Sequence, residues 1–281
     1  MAYTFDDIKG KVCVITGGGG VIGNALVSGL AEAGAKIAVL DFKKENSDAV
    51  AQKANDKFPG STISVFANVL EKQALIEARK IINDKFGKVD VLINGAGGNA
   101  PTATTQLEFL TTENLGELSK GFFGLDLEGF RKVFDLNFLG TVLPTMVLVE
   151  DMAGRGGSVI NISSMNSFRP LTKIPAYSAA KAGVNNLTEW LAVHFAKLNI
   201  RVNAIAPGFF LTDQNRFLLI DKETGQPTAR GHRIIEGTPM GRYGEPEELI
   251  GTLLYLISDV SKFVTGVIIP VDGGFNAFSG V

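Results

Sequence analysis

Residues 11–23 read KVCVITGGGGVIG. A short apolar, β-branched run, 11–16, stops at four consecutive glycines, Gly17 to Gly20. Residues 21–33 then carry apolar side chains at helical spacing. β-branched runs favour strands, glycines interrupt regular structure, and a 3.6-residue apolar period marks a helix face. The reading is strand, glycine-rich turn, helix.

The same unit recurs downstream. Residues 36–40, KIAVL, form a second strand that ends at Asp41. A helix over 48–57 is broken by Pro59-Gly60, and a third strand covers 62–67. A helix over 71–86 closes at Gly87, and the strand 89–93 runs into Asn94-Gly95-Ala96-Gly97. The pattern then predicts a helix over 130–151, a strand over 158–162, a helix over 176–198 and a strand over 201–206. A helix over 245–258 and a last strand over 267–271 finish it. The strands are continuous apolar runs rather than alternating ones. Together with the intervening helices they predict an α/β fold with a parallel sheet covered on both faces. No repeat, low-complexity tract or linker divides the chain, so 1–281 reads as one domain. Two stretches break the rhythm. Residues 99–129 form a long insert, and residues 212–243 hold Gly225, Pro227, Gly231, Gly237 and Pro239. Connections this long inside a compact domain are usually lids or binding segments.

The bulk composition excludes several roles. Apolar residues make up 45% and charged residues 20% of 281, with a net charge of -2, as in an ordinary globular protein. No basic block favours nucleic acid or an anionic membrane surface. The one cysteine, Cys13, sits in an apolar strand and reads as a buried, inert thiol. Cysteine usage of this kind suits a reducing compartment, and the acidic first ten residues lack a signal-peptide core, so a cytoplasmic location is expected. Two separated histidines, His194 and His232, and a remote cysteine make no metal site.

Four motifs carry chemistry. The glycines of 17–23 let a backbone approach a pyrophosphate, and the helix that follows offers free N–H groups and a favourable dipole. Asp41, at the end of the second strand, has the position of an acid that hydrogen-bonds the ribose hydroxyls of NAD and repels a 2′-phosphate. Lys43 and Lys44 leave NADP open. Tyr177 and Lys181 are four apart and share a helical face, so the ammonium, with a positive nicotinamide ring, is expected to lower the phenol pKa. Ser164 follows a strand end, where such sheets open their ligand crevice. Singly, each has a plain structural reading as a turn, a solvated acid, a surface pair or a cap.

In combination these residues resemble the short-chain dehydrogenase/reductase family over nearly the whole chain. Ser164 lies thirteen residues before Tyr177, Asn137 sits in DLNFLG, Arg201–Gly208 reads RVNAIAPG, and 271–274 reads VDGG. The resemblance implies a single-domain Rossmann-type, doubly wound parallel sheet and an NAD(P)-dependent oxidoreductase acting on alcohols, assembled as a homotetramer. It implies Asn137, Ser164, Tyr177 and Lys181 as the catalytic set. It implies a cofactor site of Gly17, Gly19, Gly20, Val21, Ile22, Gly23, Asp41, Asn68, Val69, Asn94, Gly95, Ala96, Tyr177, Lys181, Pro207, Gly208, Phe210 and Thr212. Three positions depart from the family pattern: Val21 replaces a glycine, Gly95 an asparagine and Asn68 an aspartate.

For the substrate, residues 207–244 resemble the family's sugar-acid branch, with D-mannonate and D-fructuronate as the implied pair. A hexonate needs a carboxylate anchor and hydroxyl partners. Arg169 and Arg216 are candidate anchors, and Asn99, Asn166 and Gln214 are candidate hydroxyl partners. Phe209, Phe210, Phe217, Leu218 and Leu219 would instead suit a hydrophobic alcohol, if they line the site rather than pack the lid. A non-catalytic dinucleotide sensor would be expected to lack Tyr177 or Lys181, and both are present.

Overall fold

The structure, a computed structural model, describes residues 4–212 and 216–280. Seven strands form one parallel sheet in the order β3-β2-β1-β4-β5-β6-β7. They are β1 (Val12–Thr16), β2 (Lys36–Asp41), β3 (Thr62–Phe66), β4 (Val91–Asn94), β5 (Gly157–Ile162), β6 (Ile200–Pro207) and β7 (Ile268–Val271). All seven fall where the sequence pattern places them, with ends shifted by two residues at most. The order reverses direction between β1 and β4, which opens a crevice at the carboxyl edge there.

Side chains on a strand alternate between faces, so each strand feeds two cores. Cys13, Ile15, Ile37, Val39, Val91 and Ile93 share one core with helices α1 (Val21–Glu32) and α9 (Ile250–Ile257). Val12, Val14, Ala38, Leu40, Leu92, Val159 and Val202 share the other with α3 (Lys72–Phe86), α5 (Leu139–Leu148) and α6 (Pro175–Phe195). Helix α2 (Lys44–Lys57) flanks β2 and β3. Burial pushes the Cys13 thiol up to about 12, as an inert core thiol requires.

The structure corrects four expectations. The single helix over 130–151 is two, α4 (Leu127–Asn137) and α5, broken at Phe138. Pro144 lies inside α5 and denies the Gly140 carbonyl its helical partner. Hydroxyl and amide side chains also turn back on the backbone: Asn137 to Val133, Thr141 to Asn137 and Thr145 to Thr141. Leu127–Met152 is apolar enough in composition to cross a membrane, yet half of its most apolar window is buried in this fold. The helix expected over 245–258 begins as a 3₁₀ turn, Pro246–Leu249. The segment after β6 holds two short helices, α7 (Arg216–Leu219) and α8 (Ala229–Glu236). The insert carries three 3₁₀ turns, Pro101–Ala103, Thr112–Lys120 and Phe122–Gly124. Elements this short are masked in sequence by the glycines and prolines around them.

Leu92 is fully buried at the centre of the sheet. Leu92→Ala should cost about 3 kcal/mol of stability, read as a lower urea midpoint with an unchanged slope.

Candidate active site

The carboxyl ends of β1, β2 and β4 are tied together by side chains. Thr16 is buried, and its Oγ1 accepts hydrogen bonds from the N–H groups of Gly95 (3.1 Å) and Ala96 (3.2 Å). Gly17 follows with φ +64, and a β-carbon there would lie 2.7 Å from the Cα of Ala96. Only glycine fits both the backbone conformation and the gap. Gly19 donates its N–H to Asp41 Oδ2 (3.1 Å), and a β-carbon at Gly19 would sit 2.8 Å from that oxygen. Asp41 Oδ1 accepts the N–H of Lys43 (3.0 Å). The buried carboxylate is thereby fixed against the glycine loop, with lone pairs to spare.

Val21 does not distort this loop. It is the first residue of α1, capped by Gly20. The first turn, Val21, Ile22 and Gly23, therefore presents N–H groups without intrahelical partners. Lys44 is spent on Asp48 (2.6 Å), while Lys43 lies over the ring of Phe42. A glycine cradle, a helix N-terminus and a fixed acid are the donor set a dinucleotide with a free 2′-hydroxyl requires.

Four residues of the expected cofactor set point elsewhere with their side chains. Asn94 is buried and donates to Thr145 Oγ1 and Asn161 Oδ1 (2.9 Å each), which binds β4 to α5 and β5. Phe210 is a core residue, packed over Gly244. Val69 is buried near Gly140 of α5. Asn68 bonds Glu71 (2.8 Å) and the Leu70 N–H (3.1 Å) within its own turn. Asn94, Phe210 and Val69 can therefore meet a cofactor only through backbone, and Asn68 only through what its turn leaves over. Pro207 ends β6, and Gly208 donates its N–H to Val271 (2.9 Å), which holds that strand end to β7.

Across the crevice, β5 delivers Ser164 and α6 delivers Tyr177 and Lys181. Pro175 starts α6 at a position where its missing N–H costs nothing. Lys181 is buried, and its Nζ donates to the Ile162 carbonyl (2.7 Å) while lying 5.7 Å from the centre of the Tyr177 ring. Ser164 Oγ accepts the N–H of Asn166 (3.2 Å) and is hydrogen-bonded to the Tyr177 phenol. Asn137 is fully buried. Its amide clasps the backbone of Gly98 from both ends, accepting at 3.2 Å and donating at 2.7 Å. A β-carbon on Gly97 would lie 2.6 Å from Asn137 Oδ1 and 3.4 Å from Lys181 Nζ, so these residues meet around one glycine.

Burial pulls Lys181 down to about 8. Burial also pushes the Tyr177 phenol above its ordinary value, and the Ser164 hydrogen bond offsets only part of that rise. Desolvation is the dominant cause of the Tyr177 rise.

The substrate candidates do not gather into one set. Asn166 is buried, with Oδ1 accepting the Leu171 N–H (3.0 Å), so it shapes the turn after Ser164. Asn99 is exposed and donates to Thr104 (2.9 Å). Arg169 and Arg216 are exposed, and Gln214 lies outside the described residues. Thr212 is part-buried just before α7. Phe209 packs edge-on against Phe275, and Phe210 and Leu219 are buried. Phe209 and Phe210 also line a cavity with Thr238, Met240 and Arg242, while the side chains of Phe217 and Leu218 lie outside the described residues. Sequence reasoning missed Thr16, whose only signal was its place at a strand end. It also missed Glu108, Arg230 and Arg233, which had no signal because their partners are distant in sequence.

A glycine cradle with a fixed acid, facing a serine–tyrosine–lysine cluster, defines the class: a dinucleotide-dependent oxidoreductase. Comparison with known proteins agrees. Residues 19–276 match the family model described as enoyl-(acyl carrier protein) reductase. A solved structure from Haemophilus influenzae, provisionally described as a D-mannonate oxidoreductase with bound NAD, superposes with a TM-score of 0.93 at 51% identity over 99% of both chains. A Bacillus subtilis protein called uncharacterized oxidoreductase UxuB is 49% identical over the whole of both chains. A 2-dehydro-3-deoxy-D-gluconate 5-dehydrogenase from Formosa agariphila is 32% identical over 100% of this chain and 98% of its own. The chain belongs to the short-chain dehydrogenase/reductase family and is an oxidoreductase acting on CH–OH groups.

The Lys181 shift has a stability consequence. Its folded pKa, about 8, lies below the ordinary 10.5, so between those values the unfolded chain binds more protons. Stability from this group therefore rises with pH across that window. Tyr177, shifted the other way, acts only above its ordinary 10.0. Between pH 8 and 10 the melting temperature of the wild type should climb relative to Lys181→Met; a constant difference would contradict the burial argument.

Proposed function

We propose that this protein is an NAD(H)-dependent dehydrogenase that interconverts a secondary alcohol and a ketone on a sugar acid, with D-mannonate and D-fructuronate as the pair. The convergence of Ser164, Tyr177 and Lys181 beside the glycine loop carries the reading of the chemistry. The sugar-acid assignment is supported by the similarity to the Haemophilus protein and to the deoxygluconate dehydrogenase. The preference for NAD is supported by Asp41 and by the engagement of Lys44 with Asp48.

NAD supplies the hydride acceptor or donor when bound. In the reducing direction Ser164 Oγ donates a hydrogen bond to the substrate ketone oxygen and orients it. Tyr177, whose raised pKa keeps its proton at neutral pH, gives that proton to the same oxygen. The resulting phenolate is stabilised by the charge on Lys181, whose Nζ lies 5.7 Å from the Tyr177 ring centre. Asn137 holds the Gly98 backbone in place beside Lys181. In the oxidising direction each step reverses, and the phenol must first lose its proton.

Arg169 and Arg216 remain the exposed guanidiniums available to a substrate carboxylate. A homotetramer, as the family implies, would cover the exposed apolar residues Met146, Trp190 and Val193 on α5 and α6.

D-fructuronate and NADH should give loss of the NADH absorbance band. Tyr177→Phe should lower kcat by about 10²–10⁴ while the protein still binds NADH. Failure on every hexuronate, with activity on another ketone, would overturn the substrate and leave the class. Asp41→Ala should raise the KM for NAD about tenfold and narrow the preference over NADP, compared in one assay with both cofactors.

A further inference from the structure

Two segments outside the sheet framework meet through one carboxylate. Glu108 belongs to the insert, and Arg230 and Arg233 belong to α8. Arg230 Nη1 donates to Glu108 Oε1 (2.9 Å), and Arg233 Nη2 donates to both Glu108 oxygens (3.0 Å each). Glu108 and Arg230 are about three-quarters buried, at 24% and 25% exposed, so solvent screens their pair less than a surface ion pair. Charge-assisted bonds of this kind fix orientation as well as distance.

From Glu108 the insert leads directly to the catalytic helix. Thr105 donates its N–H to the Lys173 carbonyl (2.9 Å). Lys173 stands four residues before Tyr177 and holds φ +78, a left-handed conformation that a lysine adopts only under constraint. Ala103 is fully buried against Ala176 and packs with Tyr177, Ala100 and Phe130. At the other end, α8 is fixed to its own surroundings. A β-carbon on Gly231 would lie 2.3 Å from the Leu219 carbonyl, and one on Gly237 would lie 3.2 Å from the ring of Phe275. The path α8, Glu108, Thr105, Lys173, Tyr177 is thus continuous and built from described residues.

We propose that Glu108 is a positioning residue for the substrate. Through Arg230 and Arg233 it fastens α8 to the insert, and the insert sets the wall beside Tyr177. The joint leaves the glycine loop and Asp41 untouched and reaches the site only at the wall beside Tyr177, so it acts on substrate affinity more than on the dinucleotide. This inference rests on the crevice being an alcohol/ketone site, and not on which sugar acid it takes.

The test compares full-length wild type, Glu108→Gln and Glu108→Asp. Hydrogen exchange needs no substrate. Glu108→Gln should speed exchange in α8 and in residues 104–120 and leave β1 and β4 protected. With D-fructuronate, its KM should rise about tenfold, while the KM for NADH and kcat stay within about twofold. Glu108→Asp should recover most of that loss, and adding Arg230→Gln to Glu108→Gln should change little more. Unchanged exchange in α8, or parallel rises in the KM for substrate and for NADH, would overturn the assignment. If wild type does not turn over D-fructuronate, the sugar-acid reading fails separately, and the same comparison of KM for substrate and for NADH is made with the ketone that wild type does reduce.

Discussion

The catalytic side of the molecule depends on a buried ammonium. Lys181 Nζ is taken out of water and bonded to the Ile162 carbonyl at the end of β5. Burying a cation is unfavourable, and here the unfavourable environment shows as a pKa near 8. The same burial raises the phenol of Tyr177. Both shifts favour the neutral forms: Tyr177 keeps its proton more firmly, and Lys181 releases its proton more readily than a solvated lysine. A positive charge entering the crevice would tip the phenol toward the phenolate and favour oxidation. The protein's part is a fixed, poorly solvated frame around these two groups.

That frame is held by buried side-chain polar groups at and behind the crevice. Thr16 pins Gly95 and Ala96, and Asn137 clasps Gly98. Asn94 reaches Thr145 and Asn161, and Asn161 reaches Thr188 on α6 (2.9 Å). Thr145 and Thr141 carry the chain of bonds back to the Asn137 carbonyl. The side chains of Thr16, Asn94, Asn137, Thr141, Thr145, Asn161 and Thr188 are buried, and their bonds fix α5 and α6 against β4 and β5, although Asn94 Oδ1 itself has no partner among the described residues. The break in the helical segment at Phe138 belongs to the same design. Asn137 ends one helix there, and the next begins at Leu139.

The sheet was legible in the sequence because its strands are short apolar runs between glycines, and burial on both faces demands that composition. The glycine loop, Asp41, Ser164, Tyr177 and Lys181 were legible because strand ends and helical spacing place them. The helix break at Phe138 was not, since Pro144 and the back-bonding of Thr141 and Thr145 act through local geometry that an apolar period hides. The expected lowering of the Tyr177 pKa belongs to the site with a positive nicotinamide ring in it; the rise in the protein alone comes from burial. Spacing shows that a lysine is near, and only coordinates show the burial. Asn94 and Phe210 sit in motifs that touch the crevice, yet their side chains turn into the protein, which a one-dimensional pattern cannot distinguish. Glu108 and its arginines are 122 and 125 residues apart, beyond any local signal.

The central claim is that cofactor charge, acting on a desolvated phenol beside Lys181, sets the protonation of Tyr177. An ultraviolet difference titration, with Tyr177→Phe subtracted to isolate that phenol, tests it directly. The phenol should titrate above the ordinary tyrosine value in the free enzyme and with NADH, and fall below it with NAD in its oxidised form. One titration curve, unmoved by either form of the cofactor, would contradict the account.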